Sequence, residues 1–186
     1  MNSNLINQSI EHSVTLIQKG DVIAYPTEAV FGLGCDPFNE TAVKKLFHVK
    51  QRPYEKGVIL IAASQEQIKD LVKLDDEPWQ ERVESTWPGP FTWVLPVKKP
   101  LPDWITGGRD TVAVRVSDHP VVQKLCLAFG GPIVSTSANI SGQPPARSCA
   151  EVDEQFNQAV FCICGAVGSL AEPTQIWRAT DNKRLR

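Results

Sequence analysis

DVIAYPTEAVFGLGC, residues 21–35, is the stretch from which the fold is read. Val22, Ile23, Ala24 and Tyr25 make a short apolar run of the kind that fills a buried strand. Pro26 removes a backbone donor, and Gly32 and Gly34 let the chain bend or approach a ligand closely. Thr27 and Glu28 therefore fall just past a strand's carboxyl end, where open α/β sheets usually place their ligands. The same residues also suit a plain turn between a strand and whatever follows it.

Outward from that stretch the chain alternates helix and strand. Leu5, Ile6, Ile10, Val14 and Ile17 form one helical stripe, and Gly20 stops it before the first strand. Val43, Leu46 and Phe47 form a second over about residues 40–52, closed by Pro53. GVILIA, residues 57–62, suits a central strand. The spacing predicts short helices over 65–73 and 77–86, then strands over 91–97 and 111–116 with the loop KKPLPDWITGGRD between them. Ser117 or Asp118 caps a helix carrying Val121, Val122, Leu125, Cys126 and Phe129. A strand over 133–135, a helix from Ser148 or Cys149 to about Phe156, and strands near 160–163 and 174–177 complete the pattern. Without an internal repeat or linker, the expectation is one α/β domain over 1–186, built on a mixed, twisted sheet flanked by helices.

A chain of 186 residues buries a large core without disulfides or metals. Its net charge of -2 gives no global pull toward nucleic acid or an anionic membrane, so any basic surface is local. The five cysteines are odd in number and contain no CxxC pair. Cys162 and Cys164 lie on one face of the predicted strand, where zinc would need more ligands than the neighbourhood offers. All five are expected to be reduced, mostly buried thiols, with no metal site. The start, MNSNLINQSI, lacks the charged and apolar regions of a signal peptide, and no apolar run reaches membrane-spanning length. A cytoplasmic protein with no membrane partner is the expectation.

Three later segments carry polar groups where a simple core would not. Lys50, four residues after Leu46, extends the apolar stripe and faces inward, where it wants an anion. The alternative is an aliphatic stem covering core while the charge escapes to water. Arg52 and Lys56 follow it and join a positive cluster. In TVAVRVS, residues 111–117, the valines take one face of a strand and Thr111, Ala113, Arg115 and Ser117 the other. Small residues around one arginine leave room for a carboxylate or phosphate held by two hydrogen bonds, unless the arginine simply faces water. In GPIVSTSANISGQPPARS, residues 131–148, a strand empties into Ser135, Thr136, Ser137 and Asn139, a run able to line an anion or a nucleobase. A GxSxG elbow is absent and His12, His48 and His119 have no motif spacing, which argues against hydrolase chemistry. No GxxxxGK[ST] loop is present, and Gly32-Leu33-Gly34 alone supports no dinucleotide site.

YPTEAVFGLGCD, KQRP followed by KGVILIA, WPGPFTWVLP, TVAVRV and PIVSTSANISGQPP stand in one order across about residues 22–145. In these motifs the chain resembles the YrdC/TsaC family of L-threonylcarbamoyl-adenylate synthases, in its short bacterial form. The resemblance implies a twisted, mostly parallel sheet around a deep positive cleft. It implies condensation of L-threonine, bicarbonate and ATP to threonylcarbamoyl-AMP with release of pyrophosphate. A partner, the tRNA-modifying threonylcarbamoyl transferase complex, then passes the group to the adenosine beside the anticodon, and direct tRNA contact is a further possibility.

By the same resemblance Thr27, Ser135, Thr174 and Arg115 bind L-threonine, with Arg115 a candidate for its carboxylate. Lys50 and Arg52 are similar to the family's catalytic phosphate ligands, and Lys56 is their neighbour. Thr111, Ser137 and Asn139 resemble contacts to the nucleotide, Pro145 packs near adenine, and Arg184 answers to a late arginine. The chemistry needs no protein nucleophile, only reactants held in line and offset phosphate charge. Mg²⁺ arriving with ATP keeps several waters, which explains why no acidic metal box is visible. The alternative is a non-catalytic protein that binds tRNA or structured RNA in the same cleft, with salt-sensitive affinity and no requirement for threonine.

Overall fold

The computed structural model describes residues 3–186. The opening stretch folds as a hairpin of β1 (Ile23–Pro26) and β2 (Phe31–Gly34), with Ile23 opposite Gly34 and Pro26 opposite Phe31. All eight strand residues are buried. The amide and the hydroxyl of Thr27 both donate to the Val30 carbonyl, at 3.1 and 2.7 Å, and close the turn. Where the sequence reading has FGLG as a bend, it is a second strand. Its glycines serve close approach: a Cβ on Gly34 would meet the Val134 carbonyl oxygen at 2.6 Å and Tyr25 Cε1 at 2.8 Å. The Tyr25 ring occupies the space those missing side chains leave, and its hydroxyl donates to the Val134 carbonyl at 3.2 Å.

Seven further strands complete one sheet: β3 (Ile59–Ala62), β4 (Phe91–Pro96), β5 (Thr111–Val116), β6 (Ile133–Ser137), β7 (Phe161–Cys162), β8 (Gln175–Arg178) and β9 (Lys183–Arg184). Their order is β7-β1-β2-β6-β3-β5-β4-β8-β9. Three pairings are parallel, β1 with β7, β3 with β5 and β4 with β8, and the other five are antiparallel. The sheet is therefore mixed but not mostly parallel. The β1–β2 hairpin and the insertion of β6 between β2 and β3 turn the balance toward antiparallel pairing.

The helices are α1 (Ser3–Gln18), α2 (Glu40–Lys50), α3 (Gln80–Glu84), α4 (Asp103–Thr106), α5 (Pro120–Phe129) and α6 (Cys149–Phe156). Side-chain alternation divides the core between the two sheet faces. Ile23, Tyr25, Ile61 and Ile133 pack under α1 and α5, against Ile10, Ile17, Val122 and Leu125. On the other side, Ala24, Leu33, Leu60, Val112 and Val114 pack with Val43, Leu46 and Phe47 of α2 and Val152 of α6. Asn39 caps α2 through Ala42 N, and Ser148 caps α6 through Glu151 N. The cap of α5 falls on His119 rather than Ser117 or Asp118, because Pro120 is preset for the first helical position.

Residues 65–73 do not form the expected helix. After a 3-10 turn at Gln65–Gln67, the segment is drawn beside the end of β4. Lys73 N donates to the Pro96 carbonyl at 2.8 Å and Lys98 N to that of Leu71 at 2.9 Å. Inside the expected 77–86 helix only α3 is regular. The expected loop between β4 and β5 contains α4, stopped by Gly107 at φ 65°.

Candidate active site

Because α1 and α5 cover only part of their sheet face, the rest of it lies bare. Register carries one row of residues across five strands: Ser135 of β6 faces Ile59 of β3, Ile59 faces Ala113 of β5, Ala113 faces Val94 of β4, and Val94 faces Arg178 of β8. All five line one cavity of about 560 Å³, and the row forms its floor. The volume is that of an ordinary small-molecule site. The 27–30 turn, the α2–β3 and α4–β5 connections, and residues 173–174 and 185–186 supply its rim.

The wall carries six cationic side chains: Arg52, Lys56, Arg109, Arg115, Arg178 and Arg186. No acidic side chain, histidine or cysteine stands on it, among the described residues. Arg52 donates to neutral groups, Thr136 Oγ1 at 3.1 Å and the Gly57 carbonyl at 3.0 Å. Burial, and then the nearby Arg186, hold Arg52 below the usual guanidinium range. Burial, and then Arg115, do the same to Arg186. Cations that disfavour one another's charge in this way are relieved by an anion placed among them.

Arg115 is 5% exposed and is held from two sides. Its NH1 donates to Thr174 Oγ1 at 2.5 Å, and its NH2 lies 3.6 Å from Glu28 Oε2. Glu28 is itself fixed by Ser117, whose hydroxyl donates to Oε1 at 2.6 Å. The 164–174 segment then clamps the turn: Gly168 N donates to the Thr27 carbonyl at 2.9 Å, where a Cβ would meet the Glu28 carbonyl oxygen at 2.5 Å. Arg115 Nε keeps no hydrogen-bond partner, so its guanidinium is oriented with a donor to spare.

Of the residues singled out from sequence, Thr27, Arg52, Lys56, Thr111, Arg115, Ser135, Ser137, Pro145 and Thr174 all line this cavity. Lys50, Asn139 and Arg184 do not. Lys50 faces inward, as its position on the stripe predicts, but its ammonium meets carbonyls. It donates to the Ser137 carbonyl, to the Asn139 carbonyl at 2.8 Å and to Asn139 Oδ1 at 3.3 Å. Burial, and then the Arg52 charge, lower its pKa to about 8. Asn139 Nδ2 donates to the Ile140 and Gln143 carbonyls, both at 2.9 Å, and Oδ1 accepts from Ser137 Oγ at 2.6 Å. Lys50 and Asn139 thus hold the 135–143 loop from behind. Arg184 donates to the Arg186 carbonyl, and Arg186 is the late arginine that reaches the cavity. Arg109 and Arg178 are wall residues that the sequence reading did not select. Arg178 was readable by extending the alternation of β8 one residue, whereas Arg109 sits in a loop with no periodic signal.

The cysteines also depart from expectation. Cys149 and Cys164 form a disulfide, with Cα atoms 5.6 Å apart. Cys162 Sγ lies 2.9 Å from Cys149 Sγ. Cys35 and Cys126 are buried free thiols. Residue 149 opens a helix whose start comes over the β7 edge, a juxtaposition invisible in spacings of 13 and 15 residues.

A mixed sheet whose uncovered face forms an anion-seeking cavity, with no histidine, cysteine or acidic side chain on its wall among the described residues, defines a small-molecule enzyme domain of the α/β class. A family profile described as telomere recombination, named for Sua5, YciO and YrdC, matches residues 15–186. The chain belongs to the Sua5/YciO/YrdC family. It is 49% identical over 189 residues to the threonylcarbamoyl-AMP synthase of Klebsiella pneumoniae subsp. pneumoniae, covering 100% of this chain and 99% of that protein. It is 50% identical over 181 residues to the threonylcarbamoyl-AMP synthase of Hydrogenovibrio crunogenus, covering 96% and 97% respectively. Among solved structures it is similar to P. abyssi Sua5 complexed with L-threonine, with a TM-score of 0.86 and 38% identity, over 94% of this chain and 52% of that one.

Proposed function

We propose that the chain is a threonylcarbamoyl-AMP synthase, which joins L-threonine, bicarbonate and ATP and releases pyrophosphate. The observation that carries this reading is a wall with six cationic and no acidic side chains, among the described residues, over a floor that is uncharged until it ends at Arg178. Such a wall suits a reaction that gathers several anions and leaves bond-making to the reactants themselves. The threonine amine takes up the bicarbonate carbon to give a carbamate and water. A carbamate oxygen then attacks the α-phosphorus of ATP, and the bond to pyrophosphate breaks. The work left to the protein is alignment, charge compensation and exclusion of water.

In this reading Arg115, fixed by Thr174 and Glu28, takes the threonine carboxylate, while Thr27, Ser135 and Thr174 surround the amino acid. Arg52 and Lys56, joined by Arg186 in place of Arg184, receive the phosphates. Thr111, Ser137 and Pro145 face the nucleoside. Lys50 and Asn139 act by shaping the loop that carries Ser137. The cavity wall offers Mg²⁺ no acidic side chain among the described residues, which suits an ion that would be carried in by the phosphates of ATP. We place the reaction in the cytoplasm, with the product consumed by a tRNA-modifying threonylcarbamoyl transferase complex. RNA binding as the whole function is not favoured, because these cations surround a small-molecule cavity.

Pyrophosphate release by purified protein with ATP, Mg²⁺ and bicarbonate, with and without L-threonine, tests the proposal. Release that needs both threonine and bicarbonate, with the adenylate seen by mass, is expected. No release under any omission, alongside RNA binding that weakens steeply with salt, would overturn it.

A further inference from the structure

Apart from the cavity, one cluster of three cysteines among the described residues has no part in the proposed reaction. The sulfurs of Cys149, Cys162 and Cys164 all lie within 4.8 Å of one another. They come from three places: the first turn of α6, the edge strand β7, and the start of the segment that carries Thr174 to Arg115. Cys149 and Cys162 are half-buried and Cys164 is exposed. The scaffold thus fixes two ligands and leaves one side open to solvent. Zinc binds thiolate at about 2.3 Å, so tetrahedral ligands around it stand about 3.8 Å apart, a spacing this cluster reaches by small side-chain movements.

We propose that Cys149, Cys162 and Cys164, once reduced, bind one zinc ion. The Cys149–Cys164 disulfide is the competing state of the same cluster. A dithiol reductant supplies two electrons and two protons to that bridge and frees both sulfurs. Zinc then displaces the three thiol protons and keeps water as its fourth ligand, which gives a complex with one net negative charge. Soft thiolates select zinc or copper(I) over magnesium, so the site is chemically separate from any magnesium that accompanies nucleotide. Bound zinc would tie α6 to the 164–174 segment as the disulfide does, but reversibly and without an oxidant.

The full chain, reduced under anaerobic conditions and verified to titrate all five of its thiols when denatured, is mixed with cobalt(II) as a spectroscopic probe. Thiolate-to-cobalt charge transfer and the strong visible bands of tetrahedral cobalt are expected at one ion per chain, bleached by one equivalent of zinc. Cys162→Ser and Cys164→Ser should each weaken zinc binding by roughly tenfold or more. The second variant changes an exposed position and so keeps the test independent of folding losses at the first. A protein with five titratable thiols and no cobalt band overturns the proposal, as does wild-type affinity in both variants. Reoxidation to the Cys149–Cys164 bridge with no metal uptake would likewise overturn it and leave a disulfide pair alone.

Discussion

Arg115 NH2 stands 3.6 Å from Glu28 Oε2 with both side chains buried, so the arginine beside the cavity floor is anchored by a carboxylate that does not line the wall. Removing one member of such a pair strands the other. Arg115→Ala is expected to raise the threonine KM by about 10- to 100-fold, the equivalent of losing charged hydrogen bonds worth roughly 1.5–3 kcal/mol, with little change in the ATP KM. Steady-state pyrophosphate release separates the two constants. Equal rises in both would place Arg115 on another ligand.

The two late arginines give a sharper contrast. Arg186 lines the cavity and donates to the Thr174 carbonyl at 3.1 Å, whereas Arg184 does not reach the wall. Arg186→Ala should therefore raise the ATP KM by roughly tenfold, and Arg184→Ala should leave it within about twofold of wild type. The reverse order would restore the assignment read from sequence.

Lys50 supplies a pH signature. Its pKa falls from the ordinary 10.5 to about 8 in the folded protein, chiefly through burial. Between these values the unfolded chain holds a proton that the native lysine has shed, so stability is gained as pH rises from 8 toward 10.5. The gain is at most ~1.4 kcal/mol per pH unit. Urea unfolding of wild type and Lys50→Met across pH 7.5–10 should give a difference that grows with pH. Parallel curves would show that the ammonium keeps its ordinary pKa. Below pH 8 the variant isolates loss of the Ser137 and Asn139 carbonyl contacts, and nucleotide affinity is expected to fall with loop order.

Gly34→Ala tests the packing of the first hairpin. The added methyl would press on the Val134 carbonyl oxygen, which cannot yield without moving β6. Overpacking of this kind destabilises by about 1–3 kcal/mol, to be read as a lowered urea midpoint with an unchanged slope. A wild-type midpoint would mean that Tyr25 and β6 shift freely.

Much of this arrangement was readable from the sequence because it follows periodicity. The valines of β5 fix which face Arg115 takes, and the stripe of α2 turns Lys50 inward. Periodicity could not say what an inward lysine meets, because Ser137 and Asn139 lie 87 and 89 residues away and present carbonyls that every residue owns. Nor could it show that FGLG is a strand, since the glycines answer to Tyr25 across a hairpin rather than to their neighbours. Residues 71–73 follow Pro96 and Lys98 instead of their own helical pattern, a case of tertiary pairing overriding local preference.

The strand order also bears on how the chain is made. β7 covers β1 on one flank and β8 covers β4 on the other, so both flanks of the sheet are completed by residues 161–184, which carry the last of these nine strands in chain order. Until then β1 and β4 present unpaired backbone, the condition in which strands pair with foreign chains. A nascent chain paused near residue 158 is therefore expected to be the form most in need of chaperones, and a fragment ending there should sediment with aggregates where the full chain stays in solution.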